Sequence, residues 1–241
     1  MIILYHSNHK ITTVLGAVNQ KLPFDASDSI AMGLQKLAKE FPESKIIWCN
    51  EAYKHFINIK YIAQYFHHNK IMVSFNPDGE NYFGAKIGYI EESSFINFNK
   101  KVSYPTWQIS SAIGVVHASV LIAHKDKIKF DDNFDYFLNS MAKVCMPLGL
   151  LCYSEPNLLL VNTVSIDVPK ASLFTLFKFV KQHYKTRWVF LLGLNLMIYE
   201  RKLPIVPLLV SLFYRNRNNN MVNLEVIKVQ SSKKEIGRAH V

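Results

Sequence analysis

Apolar positions recur at helical spacing in the middle of the chain. Phe134, Phe137, Leu138, Met141, Cys145 and Leu148 fall at i, i+3, i+4, i+7, i+11 and i+14, which places them on one face of an amphipathic helix. Asp135, Asn139, Ser140 and Lys143 fall elsewhere on it. An apolar run at 114–123 and a charged turn at 124–129 precede this helix. Gly149 stands where it must stop, and GLLCYSEPNLLLV predicts two short strands broken at Glu155-Pro156.

The N-terminal third alternates strand and helix signals. MIILY and TTVLGAV predict two strands joined by a turn at 6–10. Asp25 or Ser27 is placed to cap a helix running to about Phe41, with Ile30, Leu34, Leu37 and Phe41 on one face. KIIWC (45–49) and KIMVSF (70–75) are apolar after their first residue, as in strands buried on both sides of a sheet. Between them Asn58 precedes a short helix carrying Tyr61, Ile62, Tyr65 and Phe66. Strands alternating with helices at this spacing predict an α/β layer architecture with a mostly parallel sheet and flanking helices.

After Pro169 the pattern changes. Leu173, Leu176, Phe177, Val180 and Tyr184 make one face of a helix, with Lys178, Lys181 and Lys185 on the other. Two apolar blocks follow, WVFLLGLNLMIY (188–199) and LPIVPLLVSLFY (203–214), each of 12 residues and divided by Glu200-Arg201-Lys202. A single membrane span needs about 20 apolar residues, so these blocks predict a C-terminal pair of apolar helices instead. Two readings fit: helices buried in a core, or a hairpin lying in a membrane interface. The flanking Lys185, Arg187, Arg201, Lys202, Arg215 and Arg217, with Trp188, Tyr199 and Tyr214 at the block ends, favour the interface.

Charge sharpens this picture. Of the net +10, residues 1–100 contribute +1, residues 101–170 nothing and residues 171–241 +9. A basic end favours an anionic partner, while a solvated tail is the plainer account. The basic residues are interleaved with aliphatic blocks rather than arrayed on a polar face, which argues against nucleic acid. Three cysteines without CxxC spacing (Cys49, Cys145, Cys152) argue for a reduced, cytoplasmic setting, and the start shows no signal-peptide pattern. Neither GxGxxG, GxxxxGKS/T, GxSxG nor HExxH occurs. Residues 235–241 (EIGRAHV) back-translate to one frame of a sequencing adapter and are set aside; residues 218–234 then read as a linker into a further domain.

Gly114 in an apolar strand, then Phe130-Asp131-Asp132-Asn133-Phe134, then Gly149 and Pro156 keep an order that resembles the catalytic domain of family 2 glycosyltransferases over roughly residues 45–185. The resemblance implies a GT-A fold over residues 1–168, with 169–217 as C-terminal helices, similar to the leading region of some longer bacterial proteins of that family. It also implies a nucleotide-sugar donor, a glycan or lipid acceptor, and work in cell-surface polysaccharide or glycolipid assembly, peripheral at the inner face of the cell membrane. The family holds the donor diphosphate with Mg²⁺ or Mn²⁺ on an Asp-x-Asp at a strand end, and takes the acceptor proton with an Asp of a helical Glu-Asp-x-Asp. Here the strand end carries Asn50-Glu51, and the helix carries Asn139-Ser140-Met141-Ala142. Neither Asn139 nor Ser140 holds that proton near neutral pH, so the shell is kept and the base is lost. An alternative function of another class is a non-catalytic domain that docks on membrane or binds an acceptor glycan.

The candidate residues each carry a plainer reading. Asn50 and Glu51 are metal ligands by the resemblance, or caps at a strand end, which the residue types favour. Asp131, Asp132 and Asp135 are weak candidates for the catalytic acids; one of the first two also suits a helix N-cap. Trp107, Gln108 and His117 suit a sugar cleft, although a His in an apolar run is more often a hydrogen-bonded core residue. His67-His68 cannot face one way on a helix and have no third ligand nearby, so zinc is disfavoured.

Overall fold

The computed structural model describes residues 1–16, 20–79, 81–91, 99–123, 133–161 and 170–217. Strands β1 (Ile2–Ser7), β2 (Lys10–Leu15), β3 (Lys45–Asn50), β4 (Ile71–Phe75), β5 (Tyr104–Pro105), β6 (Ile113–His117) and β7 (Leu151–Ser154) form one sheet in the order β2-β1-β3-β6-β4-β7-β5. The architecture is α/β as expected, but the sheet is mixed rather than mostly parallel. β1 pairs with β3 and β4 with β7 in parallel; the other four pairings are antiparallel. β1, β3, β4 and β7 all point one way, and β6 runs between β3 and β4 against them. A buried apolar strand carries no signal of its direction, so the reversal was not legible in the pattern.

Alternation along the strands sends side chains to two cores. Ile2, Leu4, Ile46, Trp48, Met72, Val116 and Cys152 face helices α1 (Ile30–Glu40), α4 (Ala118–Ala123), α5 (Phe134–Cys145), α6 (Leu173–His183) and α7 (Thr186–Glu200). Ile3, Tyr5, Ile47, Cys49, Val73, Ile113 and Val115 face the smaller layer around α2 (Ile59–Tyr65), where Ile62 is the buried residue. A short helix α3 (Gly88–Glu91) packs beside α7, and α8 (Ile205–Leu212) packs against α6 and α7.

Local chemistry moved several boundaries. Ser29, not Asp25 or Ser27, caps α1 by accepting from the Met32 N–H, while Asp25 and Ser27 bond each other in the preceding turn. Asn58 caps α2 as expected. Asn8 and His9 both adopt positive φ, giving β1 and β2 a tight two-residue turn. The apolar run after Ser111 splits into β6 and α4. Only the first of the two strands around Glu155-Pro156 forms: a 3-10 turn over Pro156–Leu158 follows, and Leu159 makes an isolated bridge to Ile57. Proline cannot donate to a ladder, which accounts for the break. α5 is capped by Asn133, whose side chain accepts from the Tyr136 N–H at 2.9 Å, so neither Asp131 nor Asp132 is the cap. Those two aspartates, the turn at 124–129, and residues 162–169 and 218–241 lie outside the described residues.

The C-terminal helices join the main core on one side: Leu176, Phe177, Phe179, Val180, Val189, Leu192 and Leu196 are all buried with the sheet. Among the described residues no helix is long and apolar enough to cross a membrane.

Candidate functional site

The carboxyl ends of β1, β3, β4 and β7 gather at one edge of the sheet, together with the start of β6 and the first turns of α5. Beyond the carboxyl ends of strands is where open α/β sheets hold ligands, because loops there are free to vary over a fixed scaffold. Three strands of this edge end in a polar residue, β1 in His6 and Ser7, β3 in Asn50 and β7 in Ser154, while β4 places Ser74 just before its terminal Phe75.

The segment 108–112 crosses this edge and is tied to β1, β3, β4 and α5. The Asn50 N–H donates to Ala112 O at 2.7 Å. The Trp48 Nε1–H donates to Ser110 O at 2.9 Å, and the Ser110 N–H donates to Ser74 Oγ at 3.0 Å. From α5, Asp135 Oδ1 accepts from the Ser111 N–H at 3.1 Å. Asn139 accepts from the Ile109 N–H at 3.2 Å and returns its amide N–H groups to the carbonyls of Ile109 and Asp135, both at 2.8 Å. So β3 and α5 do converge on a common edge, held there by one strap of backbone.

Beside the strap lies a narrow hollow of about 20 Å³, lined by Ser74, Asn76, Asn81, Lys100, Tyr104, Gln108, Ser110 and Ser154. That is roughly the room of one water. No carboxylate lines it among the described residues, and Gln108 Oε1 is buried there without a hydrogen-bond partner. Through Gly79, Asn81 and Lys100 it adjoins an open cavity of about 490 Å³, which also takes in Lys86, Lys170 and Glu200. That volume is in the range of small-molecule sites. Gly79, at φ 66°, turns the loop after β4, and the Lys100 ammonium donates to its carbonyl at 3.0 Å.

Electrostatics at this edge are set by burial. His6, 5% exposed, donates through Nε2 to Ser111 O at 2.8 Å and meets the Phe134 ring edge-on. Burial lowers its pKa to about 4, against a smaller opposing effect of the Ser111 bond. Burial pushes the Asp135 carboxyl above its ordinary range, although the Ser111 bonds work the other way. A histidine held neutral when folded makes stability pH-dependent. Between about pH 6.5 and 4 the unfolded chain binds a proton that the folded one refuses, so stability rises with pH across that window. At 1.36 kcal/mol per unit the contribution is about 3 kcal/mol, lost as pH falls toward 4. His6→Gln keeps a donor for Ser111 and cannot titrate. Between pH 7 and 4, urea unfolding should show it losing about 3 kcal/mol less than wild type; equal losses would discard this origin.

The residues singled out from sequence divide between this edge and elsewhere. Gln108 lies in the hollow. Trp107 is buried against α6: its ring stacks on Phe179 at 5.2 Å, with the Lys143 ammonium 5.2 Å from its centroid, and its Nε1–H donates to Glu91. No face is left for a sugar. Glu91 also accepts from Lys143 and the Tyr184 hydroxyl. Burial alone would raise that carboxyl, but the three donors more than offset it, leaving it below its usual range. His117 sits at the far end of β6, paired with Lys45, so it lies at the opposite edge; its Nδ1 bonds Ser119 Oγ at 2.8 Å. Asp135 is 2% exposed and serves the strap.

Asn50 caps the 3-10 turn Glu51–Tyr53 by accepting from the Ala52 N–H at 3.1 Å, and Glu51 is exposed. With the Asn50 oxygen engaged and one carboxylate beside it, these two do not make a hard-oxygen donor set for Mg²⁺ or Mn²⁺. Of the residues assigned to membrane contact, Arg201, Lys202 and Arg215 are exposed, while Trp188 and Tyr214 are half-buried. Arg217 turns inward to Ser140 and the Tyr136 ring.

The residues missed from sequence are Ser74, Asn76, Asn81, Lys100, Ser110 and Ser154. The signal was present: Asn50, Ser74, Asn76 and Ser154 stand at or beside the carboxyl ends of apolar strands, where a sheet of this class holds ligands. Comparison of the chain with protein-family models, curated proteins and solved structures gives no match.

Proposed function

We propose that this chain is a nucleotide-sugar-binding domain of family 2 glycosyltransferase type, working in cell-surface polysaccharide or glycolipid assembly. The observation that carries the reading is the convergence of β3, β4, β7 and α5 on one polar edge, next to a cavity with three lysines. Lys86, Lys100 and Lys170 there suit a diphosphate, since ammonium groups on flexible stems offset phosphate charge. The unpaired Gln108 Oε1 suits a hydroxyl donor, such as a ribose or hexose. Asn50, its oxygen engaged by the Ala52 N–H, and the exposed Glu51 do not form a donor set for Mg²⁺ or Mn²⁺. The acceptor's proton is not taken at Asn139, whose amide is fully engaged with Ile109 of the strap and with the Asp135 carbonyl of its own helix. Binding, rather than turnover by these residues, is the expected activity.

Calorimetric titration of the full chain with UDP- and GDP-sugars, with and without Mn²⁺, tests this. One donor should bind, and Lys100→Glu should weaken it by at least about tenfold by setting like charge against phosphate. Silence toward every donor, or binding indifferent to Lys100→Glu, rejects the reading.

A further inference from the structure

We propose that the outer face of α7 and α8 docks on an anionic lipid bilayer. α7 is apolar on both sides but spends only one on the protein: Val189, Leu192, Gly193 and Leu196, at i, i+3, i+4 and i+7, are buried. Phe190, Leu194, Met197 and Ile198 point outward and are exposed. α8 crosses close above Gly193, where an added Cβ would stand 2.8 Å from Leu208 Cδ1, and Ser211 is its one buried residue. Leu203, Ile205, Val206, Leu209, Val210, Leu212 and Phe213 are therefore left in the open, Phe213 at 89% and Leu203 at 74%. Of the 21 large apolar side chains exposed among the described residues, 12 lie between Phe190 and Phe213, so this is a patch and not a scatter.

Its border selects the partner. Lys185, Arg187, Arg201, Lys202 and Arg215 are exposed around it. Residues 171–217 hold eight Lys and Arg against one acid, Glu200. A second copy of the chain would set this basic border against itself. A bilayer with acidic headgroups offers hydrocarbon to the apolar face and negative charge to the border together. Tyr199, 70% exposed, and Trp188, with Arg187 5.6 Å from its ring centroid, stand at the boundary where amphipathic rings settle. Neither helix is long enough to cross, so the pair lies in the interface plane. Glu200 closes α7 and lines the 490 Å³ cavity, which places the bilayer beside that cavity's mouth. The docking stands whether or not a nucleotide-sugar binds.

Co-sedimentation of the full chain with vesicles, without nucleotide, tests it. Vesicles of phosphatidylcholine mixed equally with phosphatidylglycerol should bind at least about tenfold more protein than phosphatidylcholine alone, and high salt should release it. Ile198→Glu with Phe213→Glu, and separately Arg187→Glu with Arg215→Glu, should each cut binding about tenfold. These side chains are exposed, so circular dichroism and the melting temperature should match wild type. Failure to bind, equal binding to both vesicles, or variants that bind as wild type overturn the proposal. So does a concentration-dependent dimer in light scattering that Phe213→Glu abolishes.

Discussion

Gly114→Val is expected to lower stability by about 3 kcal/mol or more, or to abolish folding, because no side chain fits at that position. Gly114 lies mid-strand in β6, opposite Trp48 of β3 and Ser74 of β4. A Cβ there would stand 2.1 Å from Trp48 Cζ2 and 2.7 Å from the Val73 carbonyl oxygen. Trp48 is wholly buried, and its Nε1–H is committed to Ser110, so the ring has nowhere to swing. The glycine is what lets an indole lie across the sheet at the root of the strap. Trp48→Leu removes the ring and should recover part of the loss. In a double-mutant cycle read by urea unfolding, Gly114→Val and Trp48→Leu should couple by at least about 1 kcal/mol. Additive losses would mean the ring is not what excludes the side chain.

Asn139→Asp, which places a carboxylate on this helix, should cost about 3 kcal/mol or more at pH 8. The amide nitrogen of Asn139 donates to two carbonyl oxygens, those of Ile109 and Asp135. A carboxylate would turn an acceptor toward both, at 1% exposure and next to another buried acid. Its folded-state pKa would be raised by burial and by those oxygens. Above the unfolded value near 3.9 the folded state would hold a proton the unfolded one releases, so the penalty grows as pH rises and shrinks toward pH 5. Chemical denaturation at pH 5 and pH 8 reads this directly. A variant as stable as wild type at pH 8 would show that the strap does not depend on the amide. Position 139 is structural in this chain: its amide staples α5 to the strap at Ile109.

The two-sided apolar runs KIIWC and IMVSF were legible as buried strands because such runs have little else to do in a chain that can bury a core. α5 was legible from its apolar stripe, but it stops at Cys145, before Pro147, and Gly149, at φ 99°, ends the 3-10 turn Met146–Leu148 that follows. Phe179, off the stripe expected for α6, was missed because its burial comes from Trp107 and Phe83, far away in sequence. Trp107 was read as a sugar platform for the same reason: an aromatic beside polar residues looks free until both its faces are seen to be taken.

His117 and Gln108 stand nine residues apart, yet β6 carries them to opposite edges of the sheet. A strand's direction is set by its neighbours and leaves no mark in its own composition. What the sequence by itself determined was the α/β class, the main helices, the basic C-terminal third and the absence of an acid at 139, since periodicity, charge and side-chain chemistry are local properties. Only the tertiary structure decided that β6 runs backwards, that a strap at 108–112 joins β3 to α5, and that α7 and α8 bury one side and bare the other. These follow from which distant surfaces meet, and the free energy of that meeting is shared among residues no local window contains.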